Sequence, residues 1–239
     1  HVVPPEFAGR AQDYVDLIAA DMLPRLAAWY DTSWLAGQGM LLGNDVFCEQ
    51  HAFDVAQSRQ VLEAGAALGL PGKIHVDQFT ALGGLEMAAK LGVLSADHLD
   101  VTTATGAAAL AASSAVGVLM PAVNFNLGHT HFADGRGLID AGVAVALATD
   151  INPGSAPCPS MPMVMALACR YNKLLPSEAL NAATINAAHA LGLGDSVGSL
   201  EPGKQADLLI IQAADYRYLA YEFGDNLVET VIKRGVVLP

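Results

Sequence analysis

Residues 143–155, VAVALATDINPGS, place a single carboxylate at the end of an apolar run. Small apolar and β-branched residues lead up to Asp150, and a turn of small residues follows it. This pattern predicts a buried strand of a parallel sheet that delivers Asp150 to its carboxyl end. Barrel enzymes present metal ligands and general bases at that end of their strands, so we expect Asp150 to carry the chemistry of this protein.

The size and composition of the chain favour a globular α/β protein. Its 239 residues are enough for a large part of a (β/α)8 barrel, and 53% of them are hydrophobic whereas 15% are charged. The formal net charge is −12, with only 12 Lys and Arg residues. Nucleic acid is therefore not expected as a partner, because phosphate binding requires clustered positive charge.

The cysteines and the apolar runs bear on the expected location of the protein. Cys48, Cys158 and Cys169 lie far apart without a CxxC pair, which favours neither a disulfide framework nor a structural zinc site. No apolar stretch reaches membrane-spanning length, and the opening HVVPPEFAGR does not resemble a signal peptide. We expect a cytoplasmic protein that makes no membrane contact. Because His1 opens into what reads as a strand end, we also expect the chain to be a fragment.

Short apolar runs alternate with longer amphipathic or Ala-rich stretches, as in βα units. Five strands are predicted, at 45–48, 73–76, 96–99, 116–120 and 143–149. Helices are predicted at 14–29, 54–68, 84–90, 103–113, 163–171 and from Pro176 onward, with a helical turn at 137–140. The predicted fold class is α/β, a partial TIM-like (β/α)8 barrel of roughly the later five strands over residues 1–195. For residues 196–239 the sequence predicts a small β-sandwich segment.

Two histidines occupy strand ends like that of Asp150. His75 lies in KIHVDQF and His98 in SADHLD, and a histidine held at such a position is a suitable ligand for zinc or iron. Taken alone, His75 could equally be a hydrogen-bonded polar residue. The neighbouring Asp97 and Asp100 are expected to raise the pKa of His98, favouring an imidazolium that stabilises negative charge or donates a proton. Because three strand ends of one barrel face carry these residues, we predict a single site containing His75, His98 and Asp150.

Other candidate sites are weaker. His129 and His131 in GHTHF have the spacing of a chelating HxH pair, but the segment reads as a loop, which favours a solvated position over the site. No GxSxG motif surrounds Ser155 or Ser160, which disfavours a serine nucleophile. A cysteine nucleophile would need a nearby histidine that the sequence alone does not reveal.

The segments KIHVDQF, LSADHLD, ALATDINPGS, ATINAAHALGL and GSLEPGKQADLLI resemble the metal-dependent amidohydrolase superfamily and, within it, the imidazolonepropionase family. HVVPPEF, DVFCE and NLVETVIKRG extend the resemblance over nearly the whole chain. The resemblance implies a TIM-like barrel with a composite β-sandwich, one divalent metal ion that is zinc or iron, and a homodimer. His75 and Asp150 match two metal ligands of the family. The other two ligands normally come from an HxH strand, and no such motif precedes His75 here.

The same resemblance implies a reaction and a substrate site. The expected reaction is hydrolysis of the cyclic amide of 4-imidazolone-5-propanoate to N-formimidoyl-L-glutamate, in histidine degradation. Asp150 would accept the proton of the attacking water, and His98 would stabilise the oxyanion or relay a proton. Five residues would contact the substrate or the product: His1, Gln78, Asn152, Gly154 and Ser155.

Two alternatives remain open from the sequence. Another cyclic amidohydrolase or a deaminase of the superfamily would keep His75, His98 and Asp150 and change the loops that recognise the substrate. An inactive truncated fragment would instead bind a partner or fold poorly, since a barrel without its first strands exposes sheet edges.

Overall fold

The computed structural model describes residues 2–239, and the chain divides after Ala115 into two compact units. The first unit opens with a helical region before its first strand. The helices are α1 (Ala11–Leu17), α2 (Leu23–Asp31) and α3 (Trp34–Gly37), preceded by a 3₁₀ turn at Pro5–Phe7.

The helix predicted at 14–29 is interrupted by a π-helical segment, Ile18–Met22. Pro24 lies in the first turn of α2 and has no N–H to donate, and its ring would clash with the carbonyl of the preceding turn. Just before it, the N–H of Leu23 bonds to the carbonyl of Ile18, five residues back. A widened turn of this kind is one way in which a helix accommodates an internal proline.

Three βα repeats follow in the first unit, and they agree with the predicted alternation of strands and helices. They consist of β1 (Asn44–Cys48), α4 (Val55–Ala67), β2 (Gly72–Val76), α5 (Gly84–Leu91), β3 (Ser95–His98) and α6 (Ala104–Ala111). β2 pairs in parallel with both β1 and β3. Asp54 begins α4 with a capping box that includes Gln57, which is a local sequence signal for a helix start.

The second unit contains two further parallel strands, β4 (Val116–Leu119) and β5 (Val145–Leu147). Its helices are α7 (Pro121–Asn126), α8 (Gly135–Asp140), α9 (Met161–Arg170), α10 (Pro176–Ala183) and α11 (Ile185–Ala190). Side chains of β4, α7, β5 and α11 form one buried apolar cluster, which includes Val118, Val123 and Ala190. The sequence did not predict α7, because its six residues are too few to show helical periodicity.

The chain ends in a small antiparallel sheet of β6 (Leu208–Ile211), β7 (Val228–Lys233) and β8 (Val236–Val237), with a short helix, α12 (Tyr218–Tyr221), after β6. Arg234 and Gly235 both have positive φ in the turn between β7 and β8, which suits a tight hairpin. Five parallel strands with intervening helices and this small sheet confirm the predicted α/β fold class. Among the helices of residues 2–239, none is both long enough and apolar enough to cross a membrane.

Candidate active site and metal centre

His75 lies at the centre of a polar cluster in the first unit. The register of the sheet sets Phe47 of β1 on one side of His75 and Asp97 of β3 on the other. Asp45 lies on the same face of β1 as Phe47, because successive side chains of a strand alternate between its two faces. Its carboxylate lies 2.9 Å from Nδ1 of His75. The strand pairing therefore brings two acids to one imidazole.

Asp97 is held within the same cluster. Its side chain is almost fully buried, it accepts a hydrogen bond of 2.7 Å from Ser95 Oγ, and it lies 3.7 Å from Lys73 Nζ. Burial raises the pKa of Asp97, while the nearby Lys73 ammonium opposes that rise. Asp97 is thus a buried acid partly compensated by a lysine on the neighbouring strand.

These groups have the donor chemistry of a metal centre. Asp45, His75 and Asp97 each offer one ligand atom, and the three atoms lie within 4.8 Å of one another. Imidazole nitrogen and carboxylate oxygen suit zinc, iron or manganese. Because Asp45 contacts Nδ1 of His75, the ring would present Nε2 to a metal, as in the carboxylate–histidine–metal arrangement of many metalloenzymes. The residues therefore fit a divalent metal ion, which His75 would bind through Nε2 while Asp45 orients the ring.

His98 lies against His75, although the two residues are not register partners in the sheet. Val76 is the register partner of His98, yet the ring centroids of the two histidines are only 5.2 Å apart. The reason is the backbone of His98, whose φ of 84° ends the regular alternation of β3. A positive φ is unusual for a residue other than glycine, and such strain often marks functional sites.

The expected rise in the pKa of His98 is wrong. His98 is 2% exposed. Burial lowers its pKa to about 3, with a further lowering from His75, and Asp45 opposes the shift only in part. Asp100 lies 3.8 Å from Nδ1, and within residues 2–239 that nitrogen has no hydrogen-bond partner. The sequence showed acids beside the histidine but not the loss of water around it, so His98 is a neutral imidazole at neutral pH.

A pH dependence of stability follows from this burial. In the unfolded chain His98 takes up a proton near its ordinary pKa of 6.5, whereas the folded chain resists protonation until about pH 3. The unfolded state therefore binds more protons between these values, and His98 lowers the stability of the fold progressively as the pH falls below 6.5. We expect the change in urea midpoint from pH 7 to pH 5 to be more favourable in His98→Asn than in the wild type.

Tryptophan fluorescence of the metal-free protein measures this effect selectively, because both tryptophans, Trp29 and Trp34, belong to the first unit. The control is His51→Asn, which changes an exposed histidine of the same unit and should leave the pH dependence as in the wild type. The same change in urea midpoint in His98→Asn and in the wild type would contradict the assignment.

Asp77 and Gln78 lie immediately after β2. Asp77 is 2% exposed and has a φ of 54°, and its Oδ2 accepts a hydrogen bond of 3.0 Å from Thr102. Burial raises the pKa of Asp77 to about 6, against a lowering by Thr102. Gln78 is half-buried. The loop thus carries the predicted substrate-binding amide beside a strained, buried acid.

In the second unit, Asp150 follows β5 and has a φ of 49°, so its backbone has a positive φ like those of Asp77 and His98. The loop after it is organised by Asn152. Its Oδ1 accepts hydrogen bonds from the N–H groups of Gly154 and Ser155, and its Nδ2 donates to the carbonyl of Asp150 and to Ser155 Oγ. Asparagine commonly stabilises turns in this way. Asp150, Asn152, Gly154 and Ser155 are therefore brought together as one loop.

The remaining predicted residues are two loop histidines and His1. His129 and His131 are exposed in the loop after α7, in agreement with the interpretation of GHTHF as a loop. His1 lies outside the described residues.

Asp45 was missed by the sequence analysis, although DVFCE places it in a strand directly upstream of the His75 strand. Only the pairing of the two strands shows that it contacts His75.

Known proteins resemble this chain over most of its length. Residues 60–238 match the model of the Amidohydrolase family. The chain is 60% identical over 238 residues to imidazolonepropionase of Chloroflexus aggregans, covering 100% of this chain and 56% of that protein. It is 47% identical over 238 residues to imidazolonepropionase of Herpetosiphon aurantiacus, covering 100% of this chain and 55% of that protein. The chain thus spans about half the length of the curated relatives it matches.

A solved structure confirms the fold independently. An adenosine deaminase from Xanthomonas campestris with bound zinc superposes with a TM-score of 0.72 over 90% of this chain and 55% of that chain, at 22% identity. At this identity the likeness concerns the fold alone. Because the family match covers residues 60–238, which are most of the chain, this chain belongs to the Amidohydrolase family.

Proposed function

We propose that this chain is part of a metal-dependent hydrolase. The enzyme opens the cyclic amide of 4-imidazolone-5-propanoate to give N-formimidoyl-L-glutamate. The observation that carries the proposal is the 60% identity to an imidazolonepropionase over 238 residues, a span that includes almost every predicted site residue. The cluster around His75 supports it, because hydrolysis of an amide at neutral pH needs an activated water and a polarised carbonyl.

His75 and Asp150 are proposed as protein ligands of one divalent metal ion, zinc or iron. The assignment of both to one ion rests on the HVDQF and ATDINPGS motifs, and for His75 also on its contact with Asp45. When bound, the ion supplies Lewis acidity, which lowers the pKa of water and polarises the substrate carbonyl. Asp45 keeps the imidazole of His75 in one orientation and one tautomer.

Proton transfer is assigned to Asp150 and stabilisation of charge to His98. Asp150 accepts the proton of the attacking water and returns it to the ring nitrogen as the carbon–nitrogen bond breaks. His98 is neutral and buried, so it donates a hydrogen bond to the oxyanion of the tetrahedral intermediate rather than a full positive charge. A neutral donor in a water-excluded position is effective because its dipole is already oriented before the reaction.

Substrate recognition is assigned to the two loops after β2 and β5. Gln78 orients the substrate through its half-buried amide, and Gly154 and Ser155 contact it from the second loop. Asn152 contributes by shaping that loop, since both ends of its amide already bind loop atoms. His1 is proposed as a further contact from its position in HVVPPE.

The location and assembly are also proposals. We propose a cytoplasmic homodimer, since the three cysteines are free and the family resemblance implies a dimer. Analytical ultracentrifugation of the product of the complete gene tests the dimer directly, and a monomer at micromolar concentration would contradict it.

The test of the reaction is turnover of 4-imidazolone-5-propanoate by the metal-loaded product of the complete gene. A panel of other cyclic amides and of aminated heterocycles is assayed in parallel. We expect turnover of the imidazolone only. Turnover of a different panel member alone would reject the named substrate and favour another amidohydrolase or deaminase activity.

The role of Asp45 gives a separate prediction. Asp45→Asn should weaken metal binding by about 10- to 100-fold, because the amide orients the imidazole of His75 less strongly than a carboxylate. Equilibrium dialysis against a chelator of known affinity measures the change. Asp13→Asn, at an exposed acid of α1, is the matched control and should bind metal like the wild type. An Asp45→Asn variant with undiminished affinity would show that the contact with His75 does not serve the metal.

A further inference from the structure

Glu49 is a buried acid that the proposed reaction does not use. It directly follows β1 and is 3% exposed. Its Oε1 accepts a hydrogen bond of 2.8 Å from the N–H of Gln50, and its Oε2 accepts bonds of 2.9 and 3.1 Å from the N–H groups of Phe79 and Thr80. Burial raises the pKa of Glu49, but these hydrogen bonds outweigh it, so the pKa is lowered and the group is an anion.

The backbone of Glu49 is itself fixed. Its N–H donates to the carbonyl of Phe53, and its carbonyl accepts from the N–H of Ala52. Phe53 is buried, so this turn is anchored in the core of the unit. The carboxylate is therefore carried by a rigid turn. It binds a segment that lies 30 residues further along the chain.

Only a carboxylate suits this position well. An ionised Glu side chain accepts hydrogen bonds at both oxygens and donates none, so it can take three N–H groups at once. A glutamine would turn an NH₂ group toward one of them. Because hydrogen bonds from N–H groups to a charged acceptor are stronger than those to a neutral one, the carboxylate fixes the path of the chain at Phe79 and Thr80.

The residue just before Gln78 is fixed by different contacts. The carbonyl of Asp77 accepts a hydrogen bond from Val101, and its carboxylate accepts one from Thr102. Gln78 thus lies between two anchored points, Asp77 on one side and the amides bound by Glu49 on the other. A side chain carried between two fixed backbone positions has its direction largely set before any ligand binds.

We infer that Glu49 is a positioning residue that aims the amide of Gln78 at the substrate by holding the loop after β2. The inference rests on the proposed function, because Gln78 is the substrate-orienting group of that reaction. Glu49 itself touches neither substrate nor metal in this role.

The decisive experiment is a double-mutant cycle between Glu49→Gln and Gln78→Ala in the metal-loaded product of the complete gene. Glu49→Gln alone should lower kcat/KM by about tenfold, chiefly through KM, as expected when binding interactions are lost. In the Gln78→Ala background the same substitution should have almost no further effect, because residues that act together are not additive. Independent, additive losses would overturn the inference, since a general weakening of the fold would act equally in both backgrounds.

A second measurement does not depend on the reaction. Hydrogen exchange at the amides of Phe79 and Thr80 should accelerate by about tenfold in Glu49→Gln, while the amides within α4 keep their protection. Glu63→Gln, at an exposed acid of α4, is the matched control and should change neither loop amide. Unchanged exchange in a folded Glu49→Gln variant would overturn the inference whatever the substrate is. Where Glu49→Gln does not fold, Glu49→Asp, which keeps the charge and shortens the side chain, takes its place in both experiments.

The two proposals fail in different ways. Faster exchange at Phe79 together with no turnover of the imidazolone by the wild type would reject the substrate and leave Glu49 as the anchor of the loop. The double-mutant cycle is then measured with whichever panel substrate is turned over. Turnover of the imidazolone with additive losses would reject the role of Glu49 alone.

Discussion

Asp150→Asn is expected to reduce turnover of 4-imidazolone-5-propanoate by about 10³- to 10⁴-fold, because an amide cannot accept the proton of the attacking water. The same change weakens a metal ligand, which adds to the loss. Asparagine is the suitable replacement because it tolerates the positive φ of 49° at this position better than most residues. Initial rates are measured with the metal content of each preparation determined alongside, so that loss of metal and loss of the base are distinguished.

The matched control for this prediction is Asp140→Asn, at an exposed acid at the end of α8 in the same unit. Its only ion pair in residues 2–239 is with Arg136, so we expect nearly wild-type turnover. An Asp150→Asn variant that is folded and retains more than about a tenth of the activity would contradict the role of Asp150 as general base.

His75→Ala is expected to have the second large effect, loss of the metal ion. Removal of an outer-shell partner already costs up to about 100-fold in metal affinity, and removal of the ligand itself should cost more. It also leaves the buried or half-buried acids Asp45 and Asp97 without the imidazole between them. The measurement is metal content after dialysis against a weak chelator, followed by turnover after metal is restored.

His129→Ala and His131→Ala are the controls for the metal experiment, and they also test the competing HxH motif. Both histidines are exposed in a loop, so their variants should keep the metal content of the wild type. Full metal content in His75→Ala, or its loss in either loop variant, would show that the ligand has been assigned to the wrong histidine.

The strand ends show how much of the site could be predicted from sequence. His75 and His98 lie near the ends of β2 and β3, and Asp150 lies three residues after β5, so the predicted strands agree with those of the structure to within a few residues. The largest difference is β5, which is only Val145–Leu147, because the pairing with β4 ends there. Local hydrophobic patterning is sufficient for this level of description.

Asp45 and Glu49 show what local patterning misses. Asp45 acts on His75, which is 30 residues away, and Glu49 acts on Phe79 at the same separation. Both contacts depend on the pairing of β1 with β2, and the register of a parallel pair is not encoded by neighbouring residues alone. The sequence contains both acids but does not indicate their partners.

The sequence by itself determined the α/β class, the order of strands and helices and the placement of His75, His98 and Asp150 at strand ends, because these follow from local patterns of apolar and polar residues. Only the tertiary structure decided which acid contacts which imidazole, that burial keeps His98 neutral and that Glu49 holds the loop of Gln78. Register and burial arise from contacts between residues far apart in the chain, and the free energies that shift a pKa or fix a loop exist only once those contacts have formed.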